Sequence, residues 1–226
     1  MKRLLLIAFI SITCFTISNA RDRAYINNCI RMWGICRNVA ITDKGGDVAL
    51  IGSNKCAYDR IPRDLAKNID NLNDSAYYIH DIQLTEKGRW FIRYGNGLLR
   101  WHNIPVMLKN CLYQLLADRQ TIKSVTFNDN SEWIVICESG IVRSSFIKME
   151  DWVEAGSQKY GELRFAQINN EGMILAFERG YFYLGNVSQK LKDALREADF
   201  DVTVIKFTPE GAYFFGDQKG NSKLYM

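Results

Sequence analysis

Arg37, His80, Lys123 and Arg164 stand 43, 43 and 41 residues apart, and Thr203 follows after 39. Four of these five side chains can carry positive charge, and a repeated spacing is what could bring them to one place. Cations that converge on a channel with low-dielectric walls focus the electric field and favour an anionic ligand. Each of the five lies four residues before an apolar anchor: Ile41, Leu84, Phe127, Ile168 or Phe207. They are therefore expected to begin five equivalent strands, share the strand parity of the anchors and meet at one mouth of a central channel. The plainer reading is that residues at strand starts are simply solvated.

Other residues offer less chemistry. Trp101-His102 stands just before a helical segment and is a further candidate for ligand contact, although a solvated linker residue is the plainer reading. His80 and Asp81 could form an acid–base pair, but adjacent strand residues point to opposite faces. His80 and His102 are the two histidines of the chain. The sequence contains no GxSxG, HExxH, P-loop or GxGxxG signature. Tyr94-Gly95-Asn96-Gly97 reads as a hairpin, since no helix follows it. No CxxC or histidine-rich spacing suggests a metal site, and no cofactor is expected.

The 226 residues open with Lys2-Arg3, an apolar run over residues 4–17, and Ser18-Asn19-Ala20. A basic start, a short apolar centre and a small-x-Ala end predict a secretory signal peptide over residues 1–20. The run is shorter than the roughly 20 residues of a spanning helix. Loss of Lys2 and Arg3 takes the net charge from +4 to +2 over residues 21–226. That balance, with no dense Lys/Arg stripe, argues against nucleic acid as a partner. Export places Cys29, Cys36, Cys56, Cys111 and Cys137 where disulfides can persist. Cys111 and Cys137 lie on apolar faces, while Cys29, Cys36 and Cys56 could pair.

The anchors also define the elements. Val39/Ile41, Ile82/Leu84, Val125/Phe127, Ala166/Ile168 and Ile205/Phe207 alternate as strand residues do. Four past each anchor stand Gly45, Gly88, Ser131, Gly172 and Gly211, which read as tight hairpin turns. Six past stand Asp47, Trp90, Trp133, Ile174 and Tyr213, opening a second strand that is apolar on both faces and suits burial on each side. Trp90 and Trp133 are read as core, not as stacking platforms. A second turn places Asn54, Gly97, Gly140, Gly180 and Gly220 in register, suggesting positive φ there. A short third strand and a helix follow. The helix over residues 149–160 is the weakest copy, with Gly156 interrupting it.

Repeats of about 41 residues mean a repeat architecture. The expected fold is mainly β with helices (α+β): a closed toroid of five repeats, each with three antiparallel strands and an outer helix, forming one domain over residues 21–226. The fifth repeat ends without its helix, and a helix over residues 25–32 is expected to complete it. Its Ile26-Asn27-Asn28-Cys29-Ile30 is similar to Leu108-Lys109-Asn110-Cys111-Leu112.

This pattern resembles secreted five-bladed propeller proteins in repeat length and closure. Its helix per blade is similar, cyclically permuted, to the unit of pentein-type α/β propellers. The pentein resemblance implies an active-site cysteine with histidine and acidic partners, a set with no evident place here. The expected function is a non-catalytic exported binding module, a monomer, holding a small anion or sugar at the axis or loops. A protein-docking scaffold and a pentein-like hydrolase are the alternatives.

Overall fold

The computed structural model describes residues 24–226. The expected signal peptide, residues 1–20, lies outside them. Helix α1 (Ala24–Trp33) leads into five antiparallel three-stranded sheets, each in sequence order. They are β1–β3 (Cys36–Ile41, Asp47–Ile51, Lys55–Asp59), β4–β6 (Ile79–Leu84, Trp90–Tyr94, Leu98–His102) and β7–β9 (Ile122–Phe127, Trp133–Cys137, Val142–Ser144). The last two are β10–β12 (Leu163–Ile168, Gly172–Phe177, Gly180–Gly185) and β13–β15 (Val204–Phe207, Tyr213–Gly216, Ser222–Tyr225). Between successive sheets run α2 (Arg63–Asp74), α3 (Val106–Ala117), α4 (Met149–Tyr160) and α5 (Gln189–Arg196). This is an α+β, propeller-like repeat of sheets and helices.

The apolar pattern explains the packing. Middle strands are buried on both faces, so alternate residues enter different clusters. Val48 and Leu50 meet Leu65, Ile69 and Leu72 of α2, together with Ile82 and Ile92 of the next sheet. Ala49 and Ile51 face the other way, toward Ile26 and Cys29 of α1 and Ala212 and Phe214 of the last sheet. The same arrangement holds α3 with Phe91 and Val125, α4 with Ile136 and Leu175, and α5 with Ile174 and Phe215. Each valine, leucine, isoleucine or phenylalanine side chain among them, fully buried, contributes about 1.5–3 kcal/mol.

The helices thus sit in slots between neighbouring sheets, not outside single blades. This corrects the expected placement of the N-terminal helix too. α1 packs chiefly on β2 and β3 of the first sheet, and it shares its cluster with the last sheet. The first strands pack in order, β1 on β4, β4 on β7, β7 on β10 and β10 on β13; β13 and β14 pack in turn on β1.

Turn registers hold with two corrections. The anchors pair with the residue six ahead in four sheets, as in Leu84 with Trp90, but Ile168 pairs with Met173. That turn is one residue shorter, so Gly172 lies inside β11 and does not take positive φ. A Cβ there would fall 2.4 Å from the Asn186 carbonyl oxygen. Ser131, in contrast, is left-handed at φ +65°. In the second turns Gly97, Gly140 and Gly220 have positive φ, whereas Asn54 and Gly180 do not. Gly180 pairs with Phe177 across a two-residue turn.

Gly156 does not interrupt α4. It is buried in a complete helix where a Cβ would lie 2.0 Å from the Phe177 ring. Its lack of a side chain is what lets α4 approach β11. Trp90 and Trp133 are core residues, 3% and 7% exposed.

Candidate functional site

A β-bulge falls at the same repeat position in four first strands. Pairing slips between Cys36 and Asn38, Ile79 and Asp81, Ile122 and Ser124, and Leu163 and Phe165. The extra residues are Arg37, His80, Lys123 and Arg164. A bulge leaves one residue unpaired and re-aims its neighbours, so the parity expected from simple alternation fails here. Thr203 precedes β13 and bonds through its N–H to the Gly216 carbonyl at 2.8 Å.

All five line one cavity of about 540 Å³ at the starts of the first strands. Asp81 lines it as well. The expectation that His80 and Asp81 point to opposite faces is therefore corrected by the bulge, although no hydrogen bond joins them. His80 Nε2 instead meets the Gly95 carbonyl at 2.8 Å, and its ring abuts Tyr78 edge-on. Burial lowers the His80 pKa below its ordinary value, with Arg93 and Arg37 adding repulsion against the raising effect of the Gly95 bond.

The cations differ in how far they are already engaged. Arg37 donates to the Gly52 carbonyl and, at 3.0 Å, to that of Ile79, with its guanidinium 4.1 Å from the Tyr78 ring centre. Arg164 makes a two-point bond to Asp201, whose carboxyl is held below its usual range by that bond. Lys123 has no hydrogen bond or ion pair among the described residues.

Two cations that the repeat position did not reveal also line the cavity. Lys206 is fully enclosed and donates to Asp81 Oδ1 at 2.9 Å and to the Ile82 carbonyl at 3.1 Å. Desolvation lowers its pKa, while Asp81 opposes that shift. Asn38 donates to the same Asp81 oxygen at 2.9 Å, and Gln83 reaches Gln167 at 3.4 Å. Arg93 comes from the middle strand β5, and its Nε is shut from solvent without a partner. A repeated polar residue one before the anchor (Gln83, Thr126, Gln167, Lys206) was the available signal for the inner layer.

The opposite ends of the first strands are tied by a second repeat position. Lys44 N–H donates to Glu86 at 3.2 Å, Lys87 N–H to Asp129 at 3.2 Å, Asp129 N–H to Asn170 at 3.0 Å and Glu210 N–H to Asp43 at 3.4 Å. Pro209 takes the equivalent place in the last repeat and offers no side-chain acceptor.

Trp101 and His102 lie elsewhere. Trp101 packs edge-on against Tyr113, and His102 stacks on Trp90 with Nδ1 3.3 Å from Asp64. The structure does not bring them to the cavity. All five described cysteines are free, so the suggested pairing among Cys29, Cys36 and Cys56 is not made. Burial pushes the Cys36 and Cys56 thiols up to about 12. No helix among the described residues is long and apolar enough to cross a membrane.

No family model matches the chain, and no curated protein matches it. Among solved structures, "YCF48 bound to D1 peptide" is 12% identical with a TM-score of 0.28, over 85% of this chain and 51% of that one. The chain spans about half of that structure's length, and a likeness at this level carries no inference about ligand or mechanism.

Proposed function

We propose that this chain is a non-catalytic binding module whose five sheets close into a ring around a cavity for a small anionic ligand. The observation that carries the reading is the gathering of Arg37, Arg93, Lys123, Arg164 and Lys206 on one cavity, against Asp81 and Glu138. Asp201 offsets Arg164 at the rim, and a positive excess remains. Packing of β13 and β14 on β1 supports closure. None of the lining residues is a cysteine, which favours binding over a pentein-like reaction. The amino-terminal pattern supports export.

Thermal melts in sulfate, phosphate or citrate, matched to chloride in ionic strength, test the site. A ligand that binds the folded state raises the melting temperature with concentration. Identical melts in all four salts overturn the reading.

A second reading, docking of another protein, is favoured by Val106, Met107 and Tyr113, which leave apolar surface exposed on α3. Met107→Glu with Tyr113→Glu should abolish capture of such a partner and preserve the anion response. Capture undiminished by that pair of changes would remove α3 from the account.

A further inference from the structure

We infer that the cavity takes a hydroxyl-rich organic acid, a sugar acid or sugar phosphate, with its oxyanion held between Arg93 and Lys123. This rests on the proposed anion-binding reading and goes on to its chemistry.

The lining cations divide into engaged and open ones. Arg37 is committed to two backbone carbonyls, Arg164 to Asp201, and Lys206 to Asp81 and the Ile82 carbonyl. His80 is committed to Gly95. Arg93 and Lys123 remain. Neither side chain has a hydrogen bond or ion pair among the described residues, and the Arg93 Nε is buried. A buried donor without an acceptor is costly, and a carboxylate or phosphate oxygen would satisfy it. Arg93 lies on the second sheet and Lys123 on the third, whose first strands pack together. The guanidinium suits a planar two-point bond, and the lysine adds a mobile point charge.

A volume of about 540 Å³ falls in the roughly 300–1,000 Å³ range of pockets for organic molecules. A bare inorganic anion would leave most of it to water. Such pockets are usually lined mainly by apolar groups. Here Asn38, Ser124, Gln83, Gln167, Thr203 and Gln218 share the lining. Amides and hydroxyls offer both donors and acceptors, which match the hydroxyls of a sugar and not an alkyl or aromatic acid.

Calorimetric titration of the full chain with glucuronate, glucose 6-phosphate, glucose, inorganic phosphate and benzoate tests this. At least one of the two acidic sugars should bind about tenfold or more tightly than glucose, phosphate or benzoate, and which one binds distinguishes a carboxylate from a phosphate ester. Arg93→Gln and Lys123→Gln should each weaken that binding about tenfold or more, the effect of one charge-assisted hydrogen bond. Lys123→Gln serves as the check should Arg93→Gln disturb folding. Phosphate or benzoate binding as tightly as the acidic sugars overturns the ligand class while anion binding stands. Acidic-sugar affinity unchanged in Lys123→Gln overturns the clamp. Failure of every anion to bind removes both the inference and the reading beneath it.

Discussion

Lys206 Nζ lies 2.9 Å from Asp81 Oδ1 although the residues are 125 positions apart in the chain. The pair joins the last sheet to the second, and Asn38 of the first sheet bonds the same carboxylate oxygen. Removing one partner of a buried pair leaves an uncompensated charge, which costs about 3–5 kcal/mol. Lys206→Met should therefore be strongly destabilising in urea denaturation. Adding Asp81→Asn should recover part of the loss, because the carboxylate that Lys206 neutralised is then gone. Simple additivity of the two costs would show that the groups do not act as a pair.

His80 makes a prediction about pH. Its folded pKa lies below the ordinary 6.5 because burial penalises the charged ring. The unfolded chain then binds the proton more readily, so stability falls as pH drops through 6.5 toward the depressed folded value and levels off beneath it. Melting temperatures between pH 7.5 and pH 5, compared for the wild type and His80→Gln, isolate this contribution. The variant should show a shallower loss on acidification. Parallel curves would mean that His80 is not desolvated.

Gly156→Ala should destabilise the protein despite improving helix propensity. The added methyl would lie 2.0 Å from the Phe177 ring, and overpacking of this kind costs about 1–3 kcal/mol. The propensity gain is about 1 kcal/mol. Phe177→Leu in the same chain should restore part of the loss. A single Gly156→Ala variant that melts above the wild type would contradict the close helix–strand approach.

Ile26 tests whether α1 belongs to the repeat. It is fully buried beside Ala212 and Phe214, as Leu65 of α2 is buried beside Ile82 and Ile92. Ile26→Ala and Leu65→Ala should each cost about 2–5 kcal/mol. A cost for Ile26→Ala near zero, with Leu65→Ala costly, would detach α1 from the slot between the first and last sheets.

The sequence by itself determined the number of repeats, the types of their elements and four of the five first-turn registers, the exception being the shorter turn before Gly172. Those features depend on near neighbours: alternation in β4, a turn residue four past Leu84, and Leu108, Leu112 and Leu115 at helical spacing in α3. It also brought out Arg37, His80, Lys123, Arg164 and Thr203 as one set, because a repeat maps equal positions to equivalent places. The tertiary structure decided how that set is placed and which partners its members meet. Bulges broke the simple parity at Arg37, His80, Lys123 and Arg164, and such a slip arises from pairing with the next strand. Arg164 met Asp201, and Lys206 met Asp81, through approaches between distant segments. Arg93 entered the cavity from a middle strand, where no spacing rule for first strands could find it. Gly156, which reads as a flaw in a helix, proved to be a point of contact because its meaning lies in the facing Phe177. Local pattern is written along the chain, whereas desolvation, charge pairing and close approach depend on which segments the fold brings together.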